Sequence, residues 1–277
     1  MKRIVTVQDI SCVGKCSLTV ALPIISAMGV ECAVVPTAVL STHTMFKSFT
    51  FRDLTSDINP ILEHWRSEGI KFDAVYTGYL GSFEQLSIVS NMFDEMKKDG
   101  AIAVVDPVMA DNGKLYPGFS EEFAANMAKL CAKADIIVPN MTEASYMLGI
   151  PYVGSGYTKE YVKELLKKLT ATGAKTAVIT GVSFEEGRLG VMSYDSAEDR
   201  FFEYCSTHLP VSYHGTGDIF SSCFVGALSN GKGLENALQI AVDYTVECIR
   251  QTIENPESHF YGVDFETAIP YLIDRIK

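Results

Sequence analysis

The sequence predicts one α/β domain of three layers, in which a mostly parallel sheet lies between helices. Two observations predict this class. Short apolar segments rich in β-branched residues alternate with longer segments of helical periodicity, and these short segments lack the polar alternation of a sheet with one face in water. Strands of that kind are buried on both faces, which is typical of parallel sheets covered by helices. No internal repeat or low-complexity linker divides residues 1–277, so we assign them to a single domain.

Each element is assigned from its own pattern. Continuous apolar runs bounded by turn residues predict strands, and apolar residues three and four positions apart predict helices. The predicted strands are residues 4–10, 32–39, 74–80, 101–108, 136–139 and 177–180. The predicted helices between them are residues 17–28, 54–68, 83–98, 121–132, 142–148 and 159–172.

The pattern changes after residue 180. Residues 190–194 and 200–204, joined by the polar segment 195–199, predict a small antiparallel hairpin. Helices at residues 217–229, 234–254 and 265–276 then close the chain. The polar turns within residues 187–214 make this segment a candidate lid that closes over a bound substrate.

Composition excludes several classes of protein. The net charge of -11 argues against a nucleic-acid partner, because phosphate contacts need clustered Lys and Arg. The longest apolar stretch, residues 20–30, is too short to cross a bilayer. The N-terminus lacks the features of a secretory signal. The seven cysteines are odd in number and form no CxxC pair, which indicates neither a disulfide framework nor a zinc site. We therefore expect a cytoplasmic protein with a small-molecule substrate and no membrane partner.

The segment His214-Gly215-Thr216-Gly217-Asp218 is the most informative motif in the chain. It precedes an apolar, small-residue segment and reads as a tight turn that opens a helix. The first N–H groups of a helix have no intrahelical partner and form an anion site. A carboxylate beside them suits phosphoryl transfer to an alcohol, which needs donors for the phosphate and a base for the proton. The alternative is structural, since an Asp in a first turn is favoured by the helix dipole in any protein.

Polar residues also collect at the ends of the predicted strands, where ligands bind in parallel sheets. Asp106 could organise Mg²⁺ and a triphosphate, or simply begin a turn. Asn140 and Glu143, spaced N-x-x-E, could bind Mg²⁺ and phosphate, or cap a helix. His43 could contact a substrate or be an ordinary loop residue, and Tyr79 could stack on an aromatic ring or fill a strand end.

Familiar nucleotide motifs are absent. No G-x-x-x-x-G-K-[ST] loop occurs, because Asp9 stands where the first glycine before Gly14-Lys15 would be. No G-x-G-x-x-G follows the first strand, and the protein-kinase signatures are missing. A kinase with this sequence would need another route to ATP.

The ordered set of these motifs resembles the ribokinase-like superfamily and, within it, the pyridoxal, pyridoxine and pyridoxamine kinases. The resemblance runs almost end to end and is far more specific than GTGD alone. It is carried by TAVLSTHT at residues 37–44, TGY at 77–79, DPVMAD at 106–111, Pro139-Asn140 through Glu143, Ile179-Thr180 and GTGDIF at 215–220.

The resemblance implies a role for each motif. Asp218 would take the proton of a 5'-hydroxymethyl group as that group attacks the γ-phosphorus of ATP. The backbone of Gly215, Thr216 and Gly217 would stabilise the transferring phosphoryl group. The remaining roles implied are Mg²⁺ and triphosphate for Asp106 and Glu143, nucleotide contacts for Asn140 and Thr180, and contacts to the pyridine ring for Ser11, His43, Thr44 and Tyr79. A homodimer that uses ATP, Mg²⁺ and a monovalent cation such as K⁺ is also implied.

Two departures from the family pattern concern the substrate side. The first strand ends in Gln8-Asp9-Ile10-Ser11-Cys12 instead of a Gln-Ser-His-like segment, and Thr42 stands where Asn is frequent. A hydroxymethylpyrimidine kinase of the same superfamily therefore remains an alternative. A ligand-binding sensor without catalysis is a further alternative, which the intact GTGD disfavours.

Overall fold

One nine-stranded sheet runs through the centre of the molecule, which a computed structural model describes over residues 1–277. Two further short strands form a separate ribbon. The strands are β1 (Arg3–Ser11), β2 (Glu31–Leu40), β3 (Phe51–Asp53), β4 (Phe72–Thr77), β5 (Lys97–Val105), β6 (Ala110–Asp111), β7 (Lys114–Leu115), β8 (Ile136–Ile137), β9 (Thr176–Val182), β10 (Arg188–Asp195) and β11 (Arg200–Thr207).

Nine helices connect the strands, and none of them combines the length and apolar character that a bilayer crossing needs. They are α1 (Leu18–Ala27), α2 (Thr55–Ser67), α3 (Phe83–Glu95), α4 (Glu121–Cys131), α5 (Met141–Leu148), α6 (Lys159–Ala171), α7 (Thr216–Ser229), α8 (Leu234–Glu254) and α9 (Phe265–Ile276).

The sheet has the order β11-β10-β9-β8-β5-β4-β1-β2-β3, and its six strands from β9 to β2 are parallel. Successive side chains of a strand point to opposite faces. Val5 and Val7 therefore join a core of 37 buried residues covered by α2–α6, whereas Ile4 joins a core of 31 covered by α1 and α7–α9. The prediction of three layers around a mostly parallel sheet is confirmed.

The predicted hairpin is present but longer, and it is continuous with the central sheet. β10 pairs antiparallel with β9, and β11 pairs antiparallel with β10 and forms the edge of the sheet. Gly190 is required at this pairing, because a Cβ there would lie 2.0 Å from the Tyr204 carbonyl oxygen. The hairpin thus extends the central sheet beyond β9, at one edge.

Three short strands were not predicted, and several boundaries differ. β3 is exposed along its whole length, so its residues show no buried face. The β6–β7 ribbon has only two residues in each strand. β4 ends at Thr77 instead of residue 80, and β5 begins at Lys97. The first four residues of β5 are polar or glycine and largely exposed, which explains why the apolar pattern marked its start at residue 101.

Asp135 joins the amino-terminal ends of three parallel strands, away from the ends where ligands bind. Its carboxylate accepts hydrogen bonds from Lys97 Nζ at 3.1 Å, Lys175 Nζ at 2.7 Å and the Ala103 N–H at 2.8 Å. Its side chain is only 15% exposed. A carboxylate with three donors in this position stabilises the register of β5, β8 and β9.

We expect Asp135→Ala to lower the free energy of unfolding by about 1–3 kcal/mol, because it leaves the buried Ala103 N–H and the largely shielded Lys97 without their acceptor. Thermal or urea unfolding measures the change. The matched control is Asp274→Ala, whose carboxylate forms an exposed ion pair with Lys277, and it should cost less than about 0.5 kcal/mol. Equal losses in the two variants would contradict this role of Asp135.

Candidate active site

A cleft of about 640 Å³ opens at the carboxyl ends of β5, β8 and β9. Parallel sheets place ligands at this edge. The structure brings eight of the residues predicted for the site into the lining of this one cleft. They are Asp106, Asn140, Glu143, Thr180, Gly215, Thr216, Gly217 and Asp218.

The GTGD turn forms the N-terminus of α7, as predicted. Gly215 is the N-cap residue and adopts φ of +83°, a left-handed conformation that favours glycine. A Cβ at this position would also lie 2.0 Å from the Lys15 carbonyl oxygen. The first amides of α7 have no partner within the helix and line the cleft, so this end of the cleft suits an anion.

Asp218 lies in the first turn of α7 and is held by the chain that follows β1. The Ser17 N–H donates a hydrogen bond of 2.9 Å to Asp218 Oδ2. Burial raises the pKa of Asp218 to about 7. The Ser17 hydrogen bond opposes the rise, and the charges of Asp106 and Asp9 add to it. A carboxylate with a pKa near neutrality is suited to accept a proton from an alcohol.

Asp106 is buried at the end of β5, and its surroundings leave it facing the cleft. Ser221 Oγ donates a hydrogen bond of 2.7 Å to Asp106 Oδ2. The next turn contains Val108 with φ of +25°, an uncommon conformation for a β-branched residue. Such strain is held in place only by the structure around it and is frequent at functional sites. Asp106 therefore follows β5 directly and lines the cleft, and its role toward Mg²⁺ and a triphosphate stays a prediction.

The N-x-x-E segment forms a complete capping box at the start of α5. Asn140 Oδ1 accepts from the Glu143 N–H at 2.9 Å, and Glu143 Oε2 accepts from the Asn140 N–H at 2.9 Å. Glu143 Oε1 also accepts from the Met109 N–H at 3.0 Å. The structural interpretation of this motif is therefore correct. Glu143 nevertheless lines the cleft, so the cap orients a carboxylate toward it.

Asp106 and Glu143 influence each other electrostatically. Burial raises the pKa of both carboxyl groups, and the charge of Asp106 raises that of Glu143 further. Hydrogen bonds from backbone N–H groups act in the opposite direction. Two buried carboxylates that resist simultaneous ionisation form a region where a cation is favoured.

The four residues predicted to hold a ring lie outside the lining of the cleft. Ser11 and His43 are buried, Tyr79 is half-buried against the Phe119 ring at 5.6 Å, and Thr44 is exposed. The His43 ring lies 5.1 Å from the ring of His214, which does line the cleft. His43 therefore adjoins the cleft through the histidine that precedes the GTGD turn. Its role in binding stays a prediction.

Two further residues of the site were not predicted. Ser17 acts through its backbone, and only the position of its loop after β1 pointed to the site. Asp9 is buried, and burial raises its pKa. Burial is the largest cause of the raised pKa values of Tyr79 and Asp218, and the charge of Asp9 raises both pKa values further. The carboxylate thus lies near both the predicted ring site and the base. The only signal for Asp9 in the sequence was its place at the end of a predicted strand.

Comparisons with known proteins place this chain in a class of small-molecule kinases. A model of the family described as phosphomethylpyrimidine kinase matches residues 21–261. The chain belongs to this family of kinases, within which its resemblance to the pyridoxal kinases is also confirmed.

Solved structures agree closely in fold. A Bacteroides thetaiotaomicron protein named as a phosphomethylpyrimidine kinase is 38% identical, with a TM-score of 0.94 over 98% of this chain and 93% of that one. An orthorhombic crystal form of that protein was solved with pyridoxal. Pyridoxal kinase from Lactobacillus plantarum is 30% identical, with a TM-score of 0.91 over 99% of this chain and 97% of that one.

A curated plant relative extends beyond this chain. The thiamine biosynthetic bifunctional enzyme of Arabidopsis thaliana is 27% identical over 87% of this chain. The chain spans only 47% of the length of that enzyme. The match therefore concerns one part of a larger protein.

The raised pKa of Asp218 predicts a stability effect that depends on pH. The folded protein binds this proton more tightly than the unfolded chain, whose Asp titrates near 3.8, so ionising Asp218 destabilises the fold. The cost is absent below about pH 4, grows as the pH rises and is complete above about pH 7. We expect Asp218→Asn to raise the melting temperature at pH 8 and to raise it much less at pH 4.5.

Thermal unfolding of the ligand-free protein at both pH values measures this effect. Asp274→Asn, a change of an exposed carboxylate on α9, serves as the control and should shift the melting temperature little at either pH. A stabilisation by Asp218→Asn that is the same at both pH values would rule out the ionisation as its cause.

Proposed function

We propose that this protein transfers the γ-phosphoryl group of ATP to the 5'-hydroxymethyl group of a vitamin B6 vitamer. The observation that carries the proposal is the Asp218 carboxylate, which has a pKa near neutrality and lies beside the free amides of the α7 N-terminus in the cleft. A base and an anion site side by side match what phosphoryl transfer to an alcohol requires.

The chemical step uses the residues of the α7 turn. Asp218 accepts the hydroxyl proton while the oxygen forms a bond to the γ-phosphorus and the bond from that phosphorus to the β-phosphate oxygen breaks, which leaves ADP. The backbone N–H groups of Gly215, Thr216 and Gly217 donate to the oxygens of the transferring group. Fixed donors of this kind stabilise developing charge without reorganising during the reaction.

The nucleotide is proposed to occupy the remainder of the cleft. Asn140 and Thr180 lie next to each other at its floor, where their backbones form a parallel bridge. The wall formed by α8 presents Val242, Val246 and Ile249, an apolar surface suited to an adenine ring.

Asp106 and Glu143 fit a Mg²⁺ ion. They are buried oxygen donors with raised pKa values at the cleft, which a cation would relieve. No group of three or more His, Cys, Asp or Glu residues is arranged to hold a metal alone. This agrees with Mg²⁺, which is usually bound by one or two carboxylates together with phosphate oxygens and water. When bound, the ion neutralises charge on the triphosphate.

The vitamer is assigned to the side of Ser11, His43, Thr44 and Tyr79, with Asp9 nearby. Two observations support a B6 substrate. The 38% identical Bacteroides thetaiotaomicron protein was crystallised with pyridoxal, and the 30% identical Lactobacillus plantarum enzyme is named a pyridoxal kinase. A K⁺ ion, the homodimer and a lid formed by residues 187–214 stay predictions from the sequence.

Hydroxymethylpyrimidine is the second candidate substrate. It also carries a hydroxymethyl group on a heteroaromatic ring, so the same base and anion site serve both. The name of the matching family and the thiamine biosynthetic relative favour this alternative. The two substrates differ in the ring and its substituents, so the discrimination would fall to the proposed ring site around Tyr79.

The deciding experiment measures ADP formation with Mg²⁺, K⁺ and ATP, with pyridoxal, pyridoxine, pyridoxamine and hydroxymethylpyrimidine offered separately. We expect turnover with at least one B6 vitamer and a kcat/KM at least about tenfold lower with the pyrimidine, the scale of one or two altered ring contacts. Activity with the pyrimidine alone would assign the protein to the alternative. Tight vitamer binding without turnover would support the sensor.

A separate prediction concerns the base. Asp218→Asn should reduce kcat at least about 10²-fold while nucleotide binding stays within a factor of two, because an amide cannot accept the proton. In the unaltered protein, kcat/KM should fall as the pH drops below about 7, where Asp218 becomes protonated. Steady-state kinetics from pH 5.5 to 9 checks both. Asp274→Asn, which changes an exposed carboxylate outside the lining of the cleft, is the control and should leave kcat unchanged. Near-normal turnover in Asp218→Asn would remove the base assignment.

A further inference from the structure

Lys15 forms a partly buried ion pair between the two ends of the chain. Its Nζ lies 2.6 Å from Asp264 Oδ1 and 2.9 Å from Glu266 Oε2. The Lys15 side chain is 15% exposed and that of Asp264 is 9% exposed, whereas Glu266 is about half exposed. The pair with Asp264 is therefore the shielded one and holds the loop after β1 against the start of α9.

The acceptor is itself fixed. Asn255 Nδ2 donates to Asp264 Oδ2 at 2.7 Å, and the Asp264 N–H donates to Thr252 Oγ1 at 2.8 Å. Thr252 lies in α8, so Asp264 is anchored to a long, well-packed helix. A flexible lysine side chain is thus held by a rigid partner.

The backbone of Lys15 is enclosed as tightly as its side chain. A Cβ at Gly215 would lie 2.0 Å from the Lys15 carbonyl oxygen, and a Cβ at Gly262 would lie 2.5 Å from Lys15 Cβ. The turn that opens α7 and the segment before α9 therefore both pack closely against Lys15. The backbone of Lys15 therefore cannot move toward either glycine without displacing the GTGD turn or the segment before α9.

Two residues further along, the same loop reaches Asp218. The Ser17 N–H donates to Asp218 Oδ2 at 2.9 Å, and Ser17 adopts φ of +50°, which is costly for a residue with a side chain. A strained conformation persists only where neighbouring structure holds it. The contacts of Lys15 supply such a restraint.

We propose that Lys15 is a positioning residue for Asp218. Its pair with Asp264 holds the loop so that the Ser17 N–H orients the carboxylate toward the hydroxyl that it deprotonates. The inference rests on the proposed function, since it assigns Lys15 a part in the same phosphoryl transfer. In this scheme Lys15 touches neither substrate nor phosphate. Its backbone packs against Gly215, and its side chain acts on Asp218 through the Ser17 N–H.

The proposal predicts a loss in kcat and not in nucleotide binding. Lys15→Met should lower kcat about tenfold or more, because a small misplacement of a catalytic group is enough for losses of this size. The KM for ATP should change less than twofold, since Asn140 and Thr180 lie on other elements. Lys15→Arg, which retains the charge, should recover part of the loss.

A double-mutant cycle separates positioning from general damage. Lys15→Met is combined with Asp218→Asn, and all variants are assayed well below their melting temperatures with whichever acceptor the unaltered protein phosphorylates. If Lys15 acts through Asp218, the second substitution should add less than about a twofold further loss to the Asp218→Asn background. Losses that multiply in full would overturn the inference.

The matched control is Lys97→Met. Lys97 forms a similarly shielded pair with Asp135, at 3.1 Å, and lies at the opposite end of the sheet. Its replacement should leave kcat within twofold. A loss equal to that of Lys15→Met would make the effect one of general stability and overturn the inference. If Lys15→Met does not fold, Asp264→Asn, which is nearly isosteric, replaces it with the same expected coupling.

The outcomes also separate this inference from the proposed function. If Asp218→Asn keeps near-normal turnover, the assignment of the base fails and the positioning of that base fails with it. If Asp218→Asn loses activity but the Lys15→Met loss is additive, the base assignment stands and only the role of Lys15 fails.

Discussion

The contact between Gly215 and the carbonyl of Lys15 is the constraint on which the rest of the site depends. The absence of a side chain at Gly215 allows the first loop of the chain to lie against the start of α7, far along the sequence. The first amides of α7, the Asp218 carboxylate and the Ser17 N–H all take their relative positions from this approach. Parallel topology makes it possible, because β1 is an interior strand, parallel to β4 and β2, and its carboxyl end lies at the same edge as the cleft.

The site concentrates charge that the fold alone does not favour. Asp9, Asp106, Glu143 and Asp218 are all shielded carboxyl groups with pKa values raised mainly by burial. Their ionised forms cost stability in the folded chain. The two extensive apolar cores on either side of the sheet offset such costs. A positive ion or a bound substrate with donors would lower them, and this coupling is the usual reason that binding groups are retained despite their cost to stability.

Helix capping illustrates how one residue can stabilise the fold and also present a carboxylate to a cleft. The sequence alone left Glu143 open between a cap and a ligand. The structure shows both oxygens receiving backbone N–H groups while the carboxylate borders the cleft. Each carboxylate oxygen has a second lone pair, so capping orients the group without exhausting it. The two interpretations do not exclude each other. The N-x-x-E spacing could not show this, because spacing along the chain does not tell where a side chain points in the folded protein.

The sequence by itself determined the layered parallel sheet, because strands buried on both faces carry a continuous apolar pattern that needs no partner to be recognised. It also identified the GTGD turn and the polar strand ends that line the cleft. The short exposed strand β3 and the polar start of β5 carry no such pattern and became visible only through pairing. The partners of Lys15, the backbone donor of Ser17 and the nearness of Asp9 to the base depend on contacts between residues far apart in the chain. Tertiary structure alone decided these contacts, since local periodicity records which face of an element is buried and not what lies against it.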